Sequence, residues 1–311
     1  RELSAVYREG SKGVSERNFK EKKMAKLGVI TDGISRDLEH ALQVATEAGL
    51  EYAELQFVWD KEVGDLDDEQ MAKALALVEK YGVKVSSITR HNFVGLLVGE
   101  VEVGDAVHQK HMAALQRCID MAKAFDTKIV RTMSFRKEMI IFGYNGAEDW
   151  NASRGAWDKL IELLSPAVKL AESNDITLSV ETGNNAMITS AVLARKFIDD
   201  MGSDNLKLMW DPANTLYCGE VVYPDGFDAL RGGYISHVHM KDCRVDIPGA
   251  TVWQCELGTG QMAPYLEGIA AGLEEENFDG VVSLESVYHP TDGTYEDGFR
   301  ASVGRFKEIF G

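Results

Sequence analysis

Cysteine is scarce in this chain, and no spacing groups the few that occur. Cys118, Cys218, Cys243 and Cys255 are the only four in 311 residues, and no CxxC pair occurs. That argues against a disulfide scaffold or a thiolate zinc site; reduced, unpaired thiols in a cytoplasmic protein are expected. No apolar run approaches the ~20 residues needed to cross a bilayer, so no membrane association is expected. No leader with a basic start, apolar middle and small-residue cleavage site is visible. Positive charge is short as well: 33 Lys and Arg face 50 Asp and Glu, a formal net charge of −17. Such a chain gains nothing from counterion release on DNA, and no basic run appears beyond the N-terminus, so nucleic acid is not an expected partner. A glycine-rich dinucleotide fingerprint after the first strand is also missing. The nearest phosphate-type loop, Glu256-Leu257-Gly258-Thr259-Gly260, lacks the lysine of a Walker motif.

What is present is enough to bury one large core: 45% hydrophobic and 27% charged residues. Residues 1–25 are rich in Lys, Arg, Glu, Ser and Gly without apolar periodicity, and read as an extension outside the fold, tag-derived or disordered, with Met24 a candidate start. From residue 26 to 311 a strand–helix alternation runs. Strands are expected at Leu27–Ile30, Tyr52–Phe57, Val83–Ile88, Lys128–Met133, Thr177–Glu181, Lys207–Asp211, Ser236–His239 and Val281–Glu285. Helical spacing fills the gaps, with Gly49 and Gly82 as stops. The nearly continuous apolar runs Ile129-Val130 and Val281-Val282 suit a parallel sheet covered by helices. Eight such units predict an α/β protein, a closed (β/α)8 TIM barrel, in preference to an open doubly wound sheet.

Four metal-binding residue types fall at the C-terminal ends of strands five to eight: Glu181, Asp211, His239 and Glu285. Taken singly, each has a bland explanation, a turn cap or a pair with lysine, and Lys241 is the obvious partner for Glu181. Taken together they sit on neighbouring strand ends, about 5 Å apart per step, on the rim where barrel chemistry occurs. Three carboxylates and one imidazole suit a divalent cation. His237 and His239 share a strand face; the later one is nearer the rim and is the expected ligand, with His237 a packed core histidine. Asp242 is a candidate to orient His239 or Lys241. Glu54, Gln56, Arg90, His91 and Arg131 lie at the ends of strands two to four and would surround a substrate, although rim salt bridging explains Glu54 and Arg131 more simply. Phe57, Trp59, Phe93 and Trp253 are candidates for an apolar wall or a cover over the barrel mouth. The Phe142–Trp150 segment and the extension are candidate interface elements of a homo-oligomer.

These residues resemble the xylose-isomerase-like barrel superfamily of sugar isomerases and epimerases. The resemblance rests on Val180-Glu181-Thr182, Trp210-Asp211-Pro212-Ala213-Asn214, His237-Val238-His239-Met240-Lys241-Asp242, Leu257-Gly258-Thr259-Gly260 and Ser283-Leu284-Glu285. It implies one divalent metal, manganese first and magnesium, cobalt or zinc as alternatives, on Glu181, Asp211, His239 and Glu285. It implies Glu181 and Glu285 as an acid–base pair acting through a metal-bound enediolate on a sugar or keto-sugar. His91, Asn214, Lys241, Arg244 and Gln56 are the expected substrate contacts. Two positions depart from the ketose 3-epimerase pattern: Asn214 stands where those members have His, and Val245 where they have Arg, with Arg244 one step early. The Asp-Pro-Ala-Asn and His-Met-Lys-Asp forms look more like members acting on inososes or keto-glycosides. An inosose dehydratase or keto-glycoside lyase is therefore the alternative reading. A non-catalytic carbohydrate-binding subunit and an abasic-site endonuclease stand further off, the latter disfavoured by only seven histidines and the −17 charge.

Overall fold

The computed structural model describes residues 25–138 and 155–311. The extension up to residue 24 and the Phe142–Trp150 segment lie outside the described residues. Eight parallel strands close into a barrel in the order β1-β8-β7-β6-β5-β4-β3-β2. They are β1 (Lys26–Ile30), β2 (Tyr52–Leu55), β3 (Lys84–Ile88), β4 (Ile129–Thr132), β5 (Thr177–Glu181), β6 (Leu206–Trp210), β7 (Ile235–Met240) and β8 (Val281–Leu284). The expected barrel is therefore the observed one, with strand ends shifted by a residue or two. β2 stops at Leu55; Phe57–Val58 instead pairs antiparallel with Lys61–Glu62.

Helices cover the barrel because their apolar residues recur on one face. In Ala156–Ser173, Leu160, Leu163, Leu164, Ala167, Val168 and Ala171 are all buried, the i, i+3, i+4 spacing of a core-facing stripe. Each fully buried leucine contributes about 1.5–3 kcal/mol. Boundaries follow local chemistry. Asp67 accepts from the Gln70 amide and opens the helix Asp68–Tyr81, and Gly82 closes it at φ 63°, a left-handed geometry that glycine adopts without strain. Thr294 and Asp297 form the same reciprocal cap on Tyr295–Phe310. Among the described residues, no helix is long and apolar enough to cross a membrane.

Two local features depart from the regular barrel. The pairing of β2 with β3 skips Ser86, so that Ala53 faces Val85 and Glu54 faces Ser87. Irregularities of this kind turn side chains away from regular alternation. After β7 the chain forms an antiparallel hairpin, Asp242–Asp246 with Thr251–Cys255, before the helix Leu266–Glu275.

Candidate metal centre and active site

The C-terminal end of the barrel interior is polar where a barrel core is usually filled by branched aliphatics. Glu54, Arg131, Glu181, Asp211, His237 and His239 are all buried there. Buried charges persist only when paired, and these are. Arg131 Nη1 lies 2.9 Å from Glu181 Oε2, while its Nη2 donates to the Thr89 carbonyl at 3.0 Å. Arg131 therefore takes the partner role that the sequence suggests for Lys241. Lys241 Nζ instead bridges Asp211 Oδ2 at 2.6 Å and Glu285 Oε2 at 2.8 Å. His239 Nδ1 lies 3.0 Å from Glu181 Oε1 and 3.7 Å from Glu285 Oε2. On the ring's other side, Nε2 lies 2.8 Å from Glu54 Oε1.

One donor atom each from Glu181, Asp211, His239 and Glu285 lies within 4.8 Å of the others. The set fits a divalent cation on two grounds. Bond lengths of about 2.0–2.2 Å place ligands on opposite sides of an ion roughly 4 Å apart, so the spacing suits coordination after small adjustments. The charge also fits. Four carboxylates, the buried Glu54, Glu181 and Asp211 and the part-buried Glu285, face Arg131, Lys241 and His239. Burial lowers the His239 imidazole pKa, but Glu54 and Glu181 overcome it and raise it well above its ordinary value. One negative charge is left over, and a second once a cation displaces the His239 proton. Asp211 shows the strain. Burial pushes its carboxyl up to about 7, Lys241 opposes the shift, and the Glu285 and Glu181 carboxylates add to it. Burial acts on Glu181 in the same sense, but Arg131 and His239 overcome it and hold that carboxyl down at about 2.

Local structure fixes the ligand candidates. The Asp211 main chain is locked to Thr182, whose Oγ1 accepts from the Asp211 amide and donates to its carbonyl. Pro212 follows and starts a short helix, Pro212–Thr215, that Asp211 caps through the Asn214 amide. The bland reading of Asp211 as a cap is thus also true. Asn214 Nδ2 donates to Asp211 Oδ2 at 2.7 Å and to the Thr182 carbonyl at 2.9 Å, which places it against the cluster. Beside the cluster opens a cavity of about 510 Å³ lined by Asp32, Arg36, Gln56, Glu285, Ser286 and Tyr295, among others. Gln56 there donates to Asp32 Oδ2 at 3.3 Å. Asp32 carries the same signal as the four strand-end residues, a carboxylate just past an apolar strand, and sequence reasoning missed it.

Other expectations resolve differently. His91 is not part of the cluster: its Nδ1 lies 2.8 Å from Glu62 Oε1, and Arg90 pairs with Glu62 and Asp65. Arg244 sits exposed on the hairpin after β7, where its Nη2 donates to the Thr259 carbonyl at 3.2 Å. Phe93 is core, stacked 5.0 Å from Phe135, and Trp253 is 52% exposed on the hairpin. Asp242 does not orient His239 or Lys241. Its carboxylate accepts from the backbone amides of Cys243, Gly258, Gly260 and Met262 at 2.8–2.9 Å. The two glycines of the loop, Gly258 and Gly260, both give their N–H groups to this side chain. A Cβ at Gly260 would lie 2.3 Å from Asp242 Oδ1.

A family model described as a xylose isomerase-like TIM barrel matches residues 42–309. No curated protein sequence matches the chain. Among solved structures, a xylose isomerase-like TIM-barrel protein from Mycobacterium smegmatis, in complex with magnesium, is 17% identical with a TM-score of 0.65, covering 93% of this chain and 97% of that one. A 3-keto-D-glucoside 4-epimerase from E. coli is 15% identical with a TM-score of 0.64, covering 89% and 98%. A probable 3-DHS dehydratase from Bacillus anthracis is 17% identical with a TM-score of 0.68, covering 90% and 98%. At these identities the likeness is one of fold. The matched span, together with the closed barrel, shows that the chain belongs to the xylose isomerase-like TIM-barrel family.

Proposed function

We propose that the protein is a divalent-metal-dependent isomerase or epimerase of a sugar or keto-sugar. The observation that carries this is the convergence of Glu181, Asp211, His239 and Glu285 within 4.8 Å, beside a cavity that Glu285 itself lines. A bound divalent ion would polarise a substrate carbonyl and stabilise the negative charge that develops on it. Asp211 and His239 are mainly holding groups. Glu285 and Glu181 are the acid–base pair: one carboxylate removes the proton next to the carbonyl, and the other returns one to the opposite face. Return to the same carbon gives epimerisation, and return to its neighbour gives aldose–ketose isomerisation. Gln56 and Asp32 hydrogen-bond substrate hydroxyls from the far side of the cavity, and Asn214 and Lys241 from the cluster side. The similar magnesium-bound barrel and keto-glucoside epimerase support this reading.

Dehydration is the second reading, favoured by Lys241. Its ammonium lies 2.6 Å from Asp211 and 2.8 Å from Glu285. Against the effect of burial, these carboxylates raise its pKa above the ordinary lysine value, so it would assist a hydroxyl leaving from the β carbon by hydrogen bonding and charge. The test is incubation of metal-loaded protein with keto-hexoses and 3-keto-glucosides in deuterium oxide. We expect deuterium at the carbon next to the carbonyl with no change of product formula apart from the label. Loss of water from the product would favour the dehydratase instead. No label and no product from any of these compounds would count against both.

A further inference from the structure

We propose that Glu54 is a positioning residue that sets His239 as a metal ligand through Nδ1, with His237 as its second anchor; the inference rests on the metal-centre reading above. Glu54, His237 and His239 are each 0% exposed. Glu54 uses both carboxylate oxygens on imidazoles: Oε1 lies 2.8 Å from His239 Nε2, and Oε2 lies 2.8 Å from His237 Nε2. An ionised carboxylate only accepts hydrogen bonds, so each facing Nε2 carries the hydrogen. By the same rule Nδ1, facing the Glu181 carboxylate, also carries a hydrogen while no cation is bound. A cation at the cluster would displace that proton, and Glu54, by holding the Nε2 hydrogen, makes Nδ1 the nitrogen whose lone pair is freed. That nitrogen faces the cluster, 3.0 Å from Glu181 Oε1 and 3.7 Å from Glu285 Oε2. Glu54 therefore selects the tautomer and the ring orientation that ligation through Nδ1 requires.

Glu54 is itself held on both sides. The skipped Ser86 in the β2–β3 pairing sets its place on the barrel, and His237 occupies its second oxygen. His237 Nδ1 has no hydrogen-bond partner among the described residues, so the bond to Glu54 is the ring's one polar tie. Donor atoms of Glu54, His237 and His239 also lie within 4.8 Å of one another, which raises a competing idea, a second cation site. The two ideas require opposite protonation. A cation bound there would need both Nε2 atoms bare. His239 would then carry its hydrogen on Nδ1, aimed at Glu181, and would be lost to the four-residue cluster.

The test strips the full-length protein with a chelator and titrates it with Zn2+ alone. We expect one Zn2+ per wild-type chain and a Kd about 10–100-fold weaker for Glu54→Gln, because an amide carbonyl can serve only one of the two imidazoles. A residue with a packing role alone would lower the unfolding midpoint of the metal-free protein and leave the Zn2+ Kd unchanged; that result overturns the inference. Should the variant not fold, imidazole nitrogen shifts of the Zn2+-loaded wild-type protein decide. They should show Nε2–H on both His237 and His239, with His239 Nδ1 on the metal. A hydrogen on His239 Nδ1, or a second Zn2+ per chain, would overturn it. Wild-type protein that takes up no Zn2+ would refute the metal-centre reading and this inference together. Wild-type uptake with an unchanged variant Kd would refute the inference alone.

Discussion

Arg131 brings a full positive charge into the barrel interior and meets Glu181 there at 2.9 Å. Removing one member of such a buried pair leaves the other uncompensated, at a cost of about 3–5 kcal/mol. Arg131→Met should lower unfolding stability by that order in urea denaturation. A loss under 1 kcal/mol would mean that Glu181 is neutralised some other way. For the chemistry, Glu285→Gln should cut turnover by about 10²–10⁴-fold, the usual scale for loss of a general acid or base. Steady-state kinetics on the substrate found by deuterium labelling would check it. The strand-end acids and His239 are legible in the sequence because each closes an apolar run. The link from Glu54 to His237 is not, since those residues lie 183 positions apart and meet only through barrel closure. The salt bridge expected of Arg131 is present, but its partner, Glu181, is not legible for a related reason: whether a rim arginine points to solvent or inward depends on the strand register, which residue types do not state.

At the scale of elements, the loop around Asp242 is the clearest case of local order set by one side chain. Four backbone amides converge on its carboxylate. Asp242→Ala would leave them without a partner and should cost on the order of 2–4 kcal/mol, given about 1–3 kcal/mol for a buried donor left unpaired and partial rescue by water. Limited proteolysis should then cut within residues 256–262 of the variant and spare the wild-type protein. Equal resistance would show that the hairpin alone holds the loop. The strands of the barrel are readable from their apolar runs, and the helix Tyr295–Phe310 falls where its spacing places it. The hairpin of Asp242–Asp246 with Thr251–Cys255 is not readable. Apart from the buried Asp242 and Cys243 its residues are half-exposed or exposed and mixed in polarity, and its pairing follows from the turn rather than from any core-facing pattern. Arg244 is an expected substrate contact only through the family resemblance, and the hairpin places it at the surface.

Across the whole molecule, eight strands place acids from β2, β5, β6 and β8 and the histidines of β7 at one end of one barrel. The excess of buried negative charge there means that a dication should stabilise the fold as well as serve chemistry. At a free ion concentration 100 times Kd, binding adds about 2.7 kcal/mol. For a chain this long each kcal/mol is about 2–4 °C or somewhat less, so chelation should lower the thermal midpoint by several degrees and Mn2+ or Mg2+ should restore it. A midpoint indifferent to both would contradict the charge argument. The barrel class was legible at this scale because eight repeated units leave few ways to close. The substrate was not, because the groups that face it come from loops whose conformation no periodicity sets.

The most direct test is a crystal of the protein soaked in Mn2+ and measured for anomalous scattering. One peak per chain is expected, about 2.0–2.4 Å from oxygens of Glu181, Asp211 and Glu285 and from His239 Nδ1. No peak among those four residues, or a peak between Glu54 and His237, would contradict it.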